Sequence, residues 1–242
     1  DIDLCGRKIT LKQRFYGMAA LGWICVICQL GATLSLGTRG QGGSRGSTPY
    51  LMWANVDAYY DGDVSCYMSD GFFEAKYDLW GQYIKSCGWR NKDWGTEKFT
   101  QRACEDNTPS GRSNSVDFCK ELITATDIAR VTTILALLLT TVGTLGLCCC
   151  RRSSDARASA LRFGGFSIAL AVGGLIGLAG AANYSSKIYQ ALEDLKLKGN
   201  GTNNLGPGCA LSLFSGLVSM VAGAAAVFLQ RKYARASETD DL

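Results

Sequence analysis

Residues 131–152 read VTTILALLLTTVGTLGLCCCRR: twenty residues with no Asp, Glu, Lys or Arg, closed by three cysteines and then two arginines. Wound as an α-helix at about 1.5 Å per residue, those twenty match the roughly 30 Å of a bilayer's hydrocarbon core. Three more runs have the same character, at 15–37, 163–186 and 209–230, and none of them carries an acidic or basic side chain. The chain therefore reads as an α-helical membrane protein, a four-transmembrane-helix bundle. Averaging hides this, because a mean hydropathy of +0.05 mixes very apolar runs with a charged segment of about ninety residues.

The runs divide the chain. An N-terminal arm (1–14) precedes transmembrane helix one (15–37), and a large loop (38–128) leads to helix two (129–150). A short link (151–162) joins helix three (163–186), and a small loop (187–208) joins helix four (209–230), which ends in a tail (231–242). Charge separates by segment. Arg7, Lys8, Lys12 and Arg14 lie in the arm, Arg151, Arg152, Arg157 and Arg162 in the link, and Arg231, Lys232 and Arg235 open the tail. Short basic segments stay on the cytoplasmic side. Both termini and the link are thus expected in the cytoplasm, with both loops outside and the plasma membrane as the location. The basic residues sit at helix ends rather than in a groove-like cluster, which argues against nucleic acid as a partner. No cleavable leader is expected, since the first apolar run is long enough to span.

The large loop holds Cys66, Cys87, Cys104 and Cys119, an even number on the side where disulfides persist. Four cysteines allow three pairings, and their spacing does not choose among them. Zinc fits poorly: the chain has no histidine and no Cys-x-x-Cys pair outside the apolar runs. Cys25 and Cys28 read as packing residues of helix one. Cys148, Cys149 and Cys150, followed by Arg151 and Arg152, are juxtamembrane candidates for S-palmitoylation. Asn200-Gly201-Thr202 is a glycosylation sequon in the small outer loop.

Within the large loop, short apolar and aromatic runs alternate with Asp61-Gly62 and Asp70-Gly71 turn signals, the pattern of a small antiparallel β-sheet. Phe118, Cys119, Leu122 and Ile123 recur at helical spacing, which predicts a short helix over 116–128 leading into helix two. In the membrane, Gly173-x-x-x-Gly177 and Ser219-x-x-x-Gly223 are small-residue pairs that let helices approach closely, within one bundle or between copies.

The order Trp53, then Leu79-Trp80-Gly81, then Cys87 and Cys104, resembles the Trp…Gly-Leu-Trp…Cys…Cys signature of the first outer loop of the claudin, peripheral-myelin-protein and epithelial-membrane-protein superfamily. Arg130, one residue before the second apolar run, resembles the arginine that claudins place there. Ala182-Asn183-Tyr184 resembles the stretch where claudin helix three runs past the membrane. A long first and a short second loop agree along the whole chain. Asp78 stands where the motif has glycine, the Cys87–Cys104 interval is longer than is usual in claudins, and the loop has an extra cysteine pair. The resemblance implies a claudin-like bundle topped by a small disulfide-bonded extracellular sheet. It further implies a Cys87–Cys104 bond that leaves Cys66 with Cys119, and Trp53 and Trp80 anchoring the sheet at the lipid interface.

The function it implies is structural: lateral self-association into strands or arrays, a role also filled by a claudin-like protein of the euglenoid pellicle membrane. The expected partners are the lipid bilayer, further copies of the chain, and a submembrane cytoskeletal layer or another membrane protein. The alternative is an auxiliary subunit that tunes a channel or receptor. An enzyme is not expected, for there is no histidine and no P-loop, and no cofactor or metal is implied. Asp57, Asp61 and Asp63 lack the spacing of an EF-hand loop and read as turn-forming acids.

Overall fold

A computed structural model describes the backbone of residues 2–4, 7–9, 11–34, 53–60, 71–77, 79–85, 95–98, 100, 104, 115–149, 156–194 and 204–240. Side chains are described within 16–34, 53–54, 79–80, 100, 104, 119–148, 164–190 and 205–231. The elements are β1 (Ile2–Leu4), β2 (Arg7–Ile9), α1 (Leu11–Leu34), β3 (Ala54–Tyr60), β4 (Gly71–Tyr77), β5 (Gly81–Lys85) and β6 (Gly95–Lys98). They are followed by α2 (Ser115–Cys149), α3 (Ala156–Asp194), β7 (Asn204–Leu205) and α4 (Pro207–Asp240).

Four helices are long and apolar enough to cross a membrane, through Tyr16–Leu34, Cys119–Cys148, Gly164–Gln190 and Pro207–Arg231. The protein is an integral membrane protein. The helices differ from the sequence boundaries in one instructive way. The short helix expected over 116–128 and helix two are a single element, α2, of 35 residues. Nothing interrupts it, because no glycine or proline occurs between Ser115 and Val142. At about 52 Å it exceeds the hydrocarbon thickness, and its charged residues Asp117, Lys120, Glu121, Asp127 and Arg130 all fall in the first half. By the same logic α3 continues through Lys187-Ile188-Tyr189, where no breaker stands. Helix α4 opens with Pro207, whose missing N–H falls where a helix has no partner for it. The first α4 hydrogen bond runs from Ala210 N–H to Gly206 O at 3.1 Å.

The chain forms two compact units. The first comprises 1–30, 132–179 and 213–242. Its helices meet where glycines admit neighbouring backbone. A Cβ on Gly174 of α3 would stand 2.4 Å from Met220 N and 2.5 Å from Gly216 O of α4, and one on Gly223 would stand 2.5 Å from Ala171 N. On α2, a Cβ on Gly143 would meet Leu170 of α3 at 2.8 Å, and one on Gly146 would overlap the Phe166 ring. Gly22 of α1 lies against Thr144 of α2. Buried Thr140 of α2 donates to Gln29 Oε1 of α1 at 2.9 Å. Interhelical hydrogen bonds of this kind in an apolar bundle are worth about 0.6 kcal/mol on average. The β1–β2 hairpin, with Ile2 opposite Ile9, belongs to this unit.

The second unit comprises 31–131 and 180–212. Its strands pair antiparallel in the order β6-β5-β4-β3-β7. The register sets Ala54 opposite Tyr77 and Tyr60 opposite Gly71, then Tyr77 opposite Gln82, Gly81 opposite Lys98, and Ala54 opposite Leu205. Chain direction alternates at each step, which fixes which connections share an end of this ladder.

A tryptophan tie at the end of the first helix

An α-helix leaves the carbonyls of its last turn without N–H partners. In α1 that turn is Gly31-Ala32-Thr33-Leu34, and two of its carbonyls are met by tryptophans from the large loop. The Trp53 indole N–H donates to Ala32 O at 2.9 Å. The Trp80 indole N–H donates to Thr33 O at 2.6 Å. Indole suits the task because it brings one donor on a large apolar body, so the carbonyl is satisfied without a charge being buried.

Trp53 reaches further. Its ring meets Tyr184 of α3 edge to face, with centroids 5.1 Å apart and planes at 86°, a contact worth about 0.5–1.5 kcal/mol beyond burial. Its own carbonyl accepts the Gly206 N–H at 2.9 Å, where α4 begins. One residue thus joins the end of α1, the C-terminal half of α3 and the entry to α4. It is fully buried, as are Tyr184, Ala32 and Cys209, whose sulfur lies 3.8 Å from Ala181 O. The resemblance implied a lipid-interface anchor at Trp53. Zero exposure rules that out for this side chain, which packs inside the unit because its donor is needed at a buried carbonyl.

Trp80 has a different setting. It is 37% exposed, whereas neighbouring Leu79 is wholly buried. Arg130 of α2 places its guanidinium 5.3 Å from the centre of the Trp80 ring, within cation–π range. Its Nε–H donates to Leu79 O, and Nη1–H to the Asp127 carboxylate one helical turn earlier. Leu79-Trp80 is therefore held from α1 and α2 at once.

A covalent tie completes the unit. Cys104 and Cys119 are disulfide-bonded, with Cα atoms 5.8 Å apart and a sequence separation of 15; Cys104 N–H closes a turn on Thr100 O. This corrects the pairing implied by resemblance, in which Cys104 joined Cys87 and Cys119 joined Cys66. The strand directions give the reason. Cys87 follows β5 in sequence, whereas Cys104 follows β6, and these antiparallel strands finish at opposite ends of the ladder. Cys104 comes instead to the second turn of α2. Cys66 and Cys87 themselves lie outside the described residues.

The structure brings together Trp53, Leu79, Trp80 and Arg130, while Gly81 opens β5 beside them in sequence. Gly173, Gly177, Ser219 and Gly223 pack inside the first unit. A Cβ on Gly173 would meet Leu139 and Thr140, one on Gly177 would meet Ala136 and Gln29, and Ser219 and Gly223 face Gly174 and Ala171. Cys148 has a free, exposed thiol near the end of α2. Cys149 closes that helix, and Cys150 and Asn200 lie outside the described residues. Three contributors escaped sequence reading, namely Ala32 O, Thr33 O and the Gly206 N–H, since backbone atoms carry no residue-type signal. Among the described residues no group of three His, Cys, Asp or Glu side chains gathers as a metal site would require. Comparison with family models and with curated proteins finds no match.

Proposed function

We propose that this chain is a structural protein of claudin-like kind. It associates laterally with its own copies into strands or arrays that organise the cell-surface membrane, a role similar to that of the claudin-like protein of the euglenoid pellicle. The observation that carries the proposal is the tryptophan tie. Residues matching the claudin signature converge there: Trp53 and Trp80 bind the last carbonyls of α1, and Arg130 donates to Leu79 O. Ordering costs weigh against assembly, and a loop already fastened to the helices reduces them. The four apolar runs contain no Asp, Glu, Lys, Arg or His, which favours a scaffold over a transporter, whose mechanism uses such groups.

In this proposal the ladder and the segments around it form the small extracellular sheet, both termini are cytoplasmic, and the membrane is the plasma membrane. The small-residue faces of α3 and α4 are occupied within the chain, so contacts between copies fall to the outer segments and the exposed aliphatic faces. The test is imaging of the purified protein reconstituted at high density in lipid. Regular rows or a repeating oligomer are expected. Dispersed monomers at every protein-to-lipid ratio would overturn the proposal and turn attention to an auxiliary subunit.

A further inference from the structure

Arg130 does not spend its hydrogen-bonding capacity inside the protein. Of five N–H groups on a guanidinium, Nε–H goes to Leu79 O and one Nη1–H to Asp127. Among the described residues no other partner takes the remaining N–H groups. Arg130 keeps 21% exposure and Asp127 58%, and the Trp80 ring beneath the guanidinium is part-exposed with its N–H turned away to Thr33. Next in sequence to Thr33, Asp127 and Arg130 are the exposed Leu34, Ile128 and Val131. Val131 begins the twenty-residue apolar run of α2, so the cluster marks the level where hydrocarbon gives way to headgroups.

We propose that Arg130, Asp127 and Trp80 form a binding site for the headgroup of a zwitterionic phospholipid. The lipid phosphate accepts the unspent guanidinium N–H groups, and its cationic amine meets the Asp127 carboxylate. The acyl chains run along the apolar surface beginning at Val131. The i,i+3 pair of opposite charges on one face of α2 matches the opposite charges of such a headgroup. An anionic lipid lacks the cation and would bring its net charge against Asp127. An occupied site would fix the depth of the second unit's end of α2 in the membrane.

The experiment uses the full chain in nanodiscs of equal phosphatidylethanolamine and phosphatidylglycerol, with retained lipid identified by native mass spectrometry. Wild type is expected to retain phosphatidylethanolamine in preference to phosphatidylglycerol by about two- to fivefold, the range of one partly exposed charge contact. Asp127→Asn leaves the Arg130 bond to Leu79 intact and alters an exposed side chain, so folding is preserved, which retained helical circular dichroism checks. That variant is expected to reverse the preference. Equal ratios in the two proteins, or no retained lipid in either, would overturn the proposal. Displacement of the lipid by soluble phosphoethanolamine at the same concentration would also overturn it, since the site would then serve a free ligand.

Discussion

Replacing Trp53 by phenylalanine removes the indole N–H and shrinks the ring system by three heavy atoms, both at a fully buried position of the second unit. The ring position is retained, so the edge-to-face contact with Tyr184 survives in large part. What is lost is the donor to Ala32 O at 2.9 Å, together with part of the ring volume that fills the site. Both partners are fully buried, so water has no ready access to the stranded carbonyl, and the cost of leaving such a group unmade is about 1–3 kcal/mol. Trp53→Ala removes the ring as well and leaves a cavity, raising the loss to about 3–5 kcal/mol. Trp80→Phe is the internal comparison: its hydrogen bond is as short, yet its exposure lets water reach the site, so about 0.5–1.5 kcal/mol is expected. The assay is equilibrium unfolding in mixed micelles with increasing sodium dodecyl sulfate, followed by helical circular dichroism with the disulfide intact. The order of loss should be Trp53→Ala, then Trp53→Phe, then Trp80→Phe. A Trp53→Phe protein within about 0.3 kcal/mol of wild type, or one more stable than Trp80→Phe, would refute the reasoning from burial.

Three other outcomes are expected. Gly174→Ala places a methyl 2.4 Å from the Met220 nitrogen and should separate α3 from α4, lowering the unfolding midpoint. Gly165→Ala meets nothing within 4 Å and should be neutral or stabilising by up to about 1 kcal/mol; the same micelle titration reads both. Gln29→Leu and Thr140→Val should each destabilise the first unit, and a double-mutant cycle should return a coupling of about 0.6–1.7 kcal/mol; zero coupling would mean that the 2.9 Å contact is incidental. Peptide mapping without reductant should find tryptic peptides 103–112 and 113–120 linked through Cys104 and Cys119. It should also find 46–76 linked to 86–90 through Cys66 and Cys87, because the β3–β4 connection and the exit from β5 share one end of the ladder.

How much of this was legible in the sequence depends on the kind of information involved. Helix number follows from runs lacking charge, a property of single residues, and four helices of sufficient length are present. The single α2 was also within reach, since no glycine or proline stands between Ser115 and Val142 to stop a helix; assigning a boundary where polarity changes confused the membrane edge with a helix end. The motif tryptophans and Arg130 could be singled out, but not their targets. Ala32 and Thr33 matter through their carbonyls, and any residue in the last turn of α1 would offer the same atom. Cysteine pairing was illegible for a different reason. It depends on which strand ends coincide, and the interval between cysteines does not encode direction.

The use of two tryptophans rather than one has a geometric consequence. Ala32 and Thr33 are consecutive, so their carbonyls are offset by about 100° around the α1 axis. Their donors therefore come from different sides: Trp53 from the buried side shared with Tyr184 of α3, Trp80 from the part-exposed side shared with Arg130 of α2. A single hydrogen bond holds the loop at a distance from the helix end but leaves it free to swing; a second at another azimuth fixes the swing. Stability should thus depend mainly on Trp53, and orientation on the pair. If copies of the chain assemble through their outer segments, the spacing and regularity of the rows depend on that orientation more than on stability. Trp80→Phe should then remain folded and still associate, but reconstituted rows should lose their regular repeat, visible as broadened or absent layer lines in the transforms of images. Rows as regular as those of wild type would show that Trp53 alone orients the segment, and that Trp80 serves the headgroup site beneath Arg130 instead.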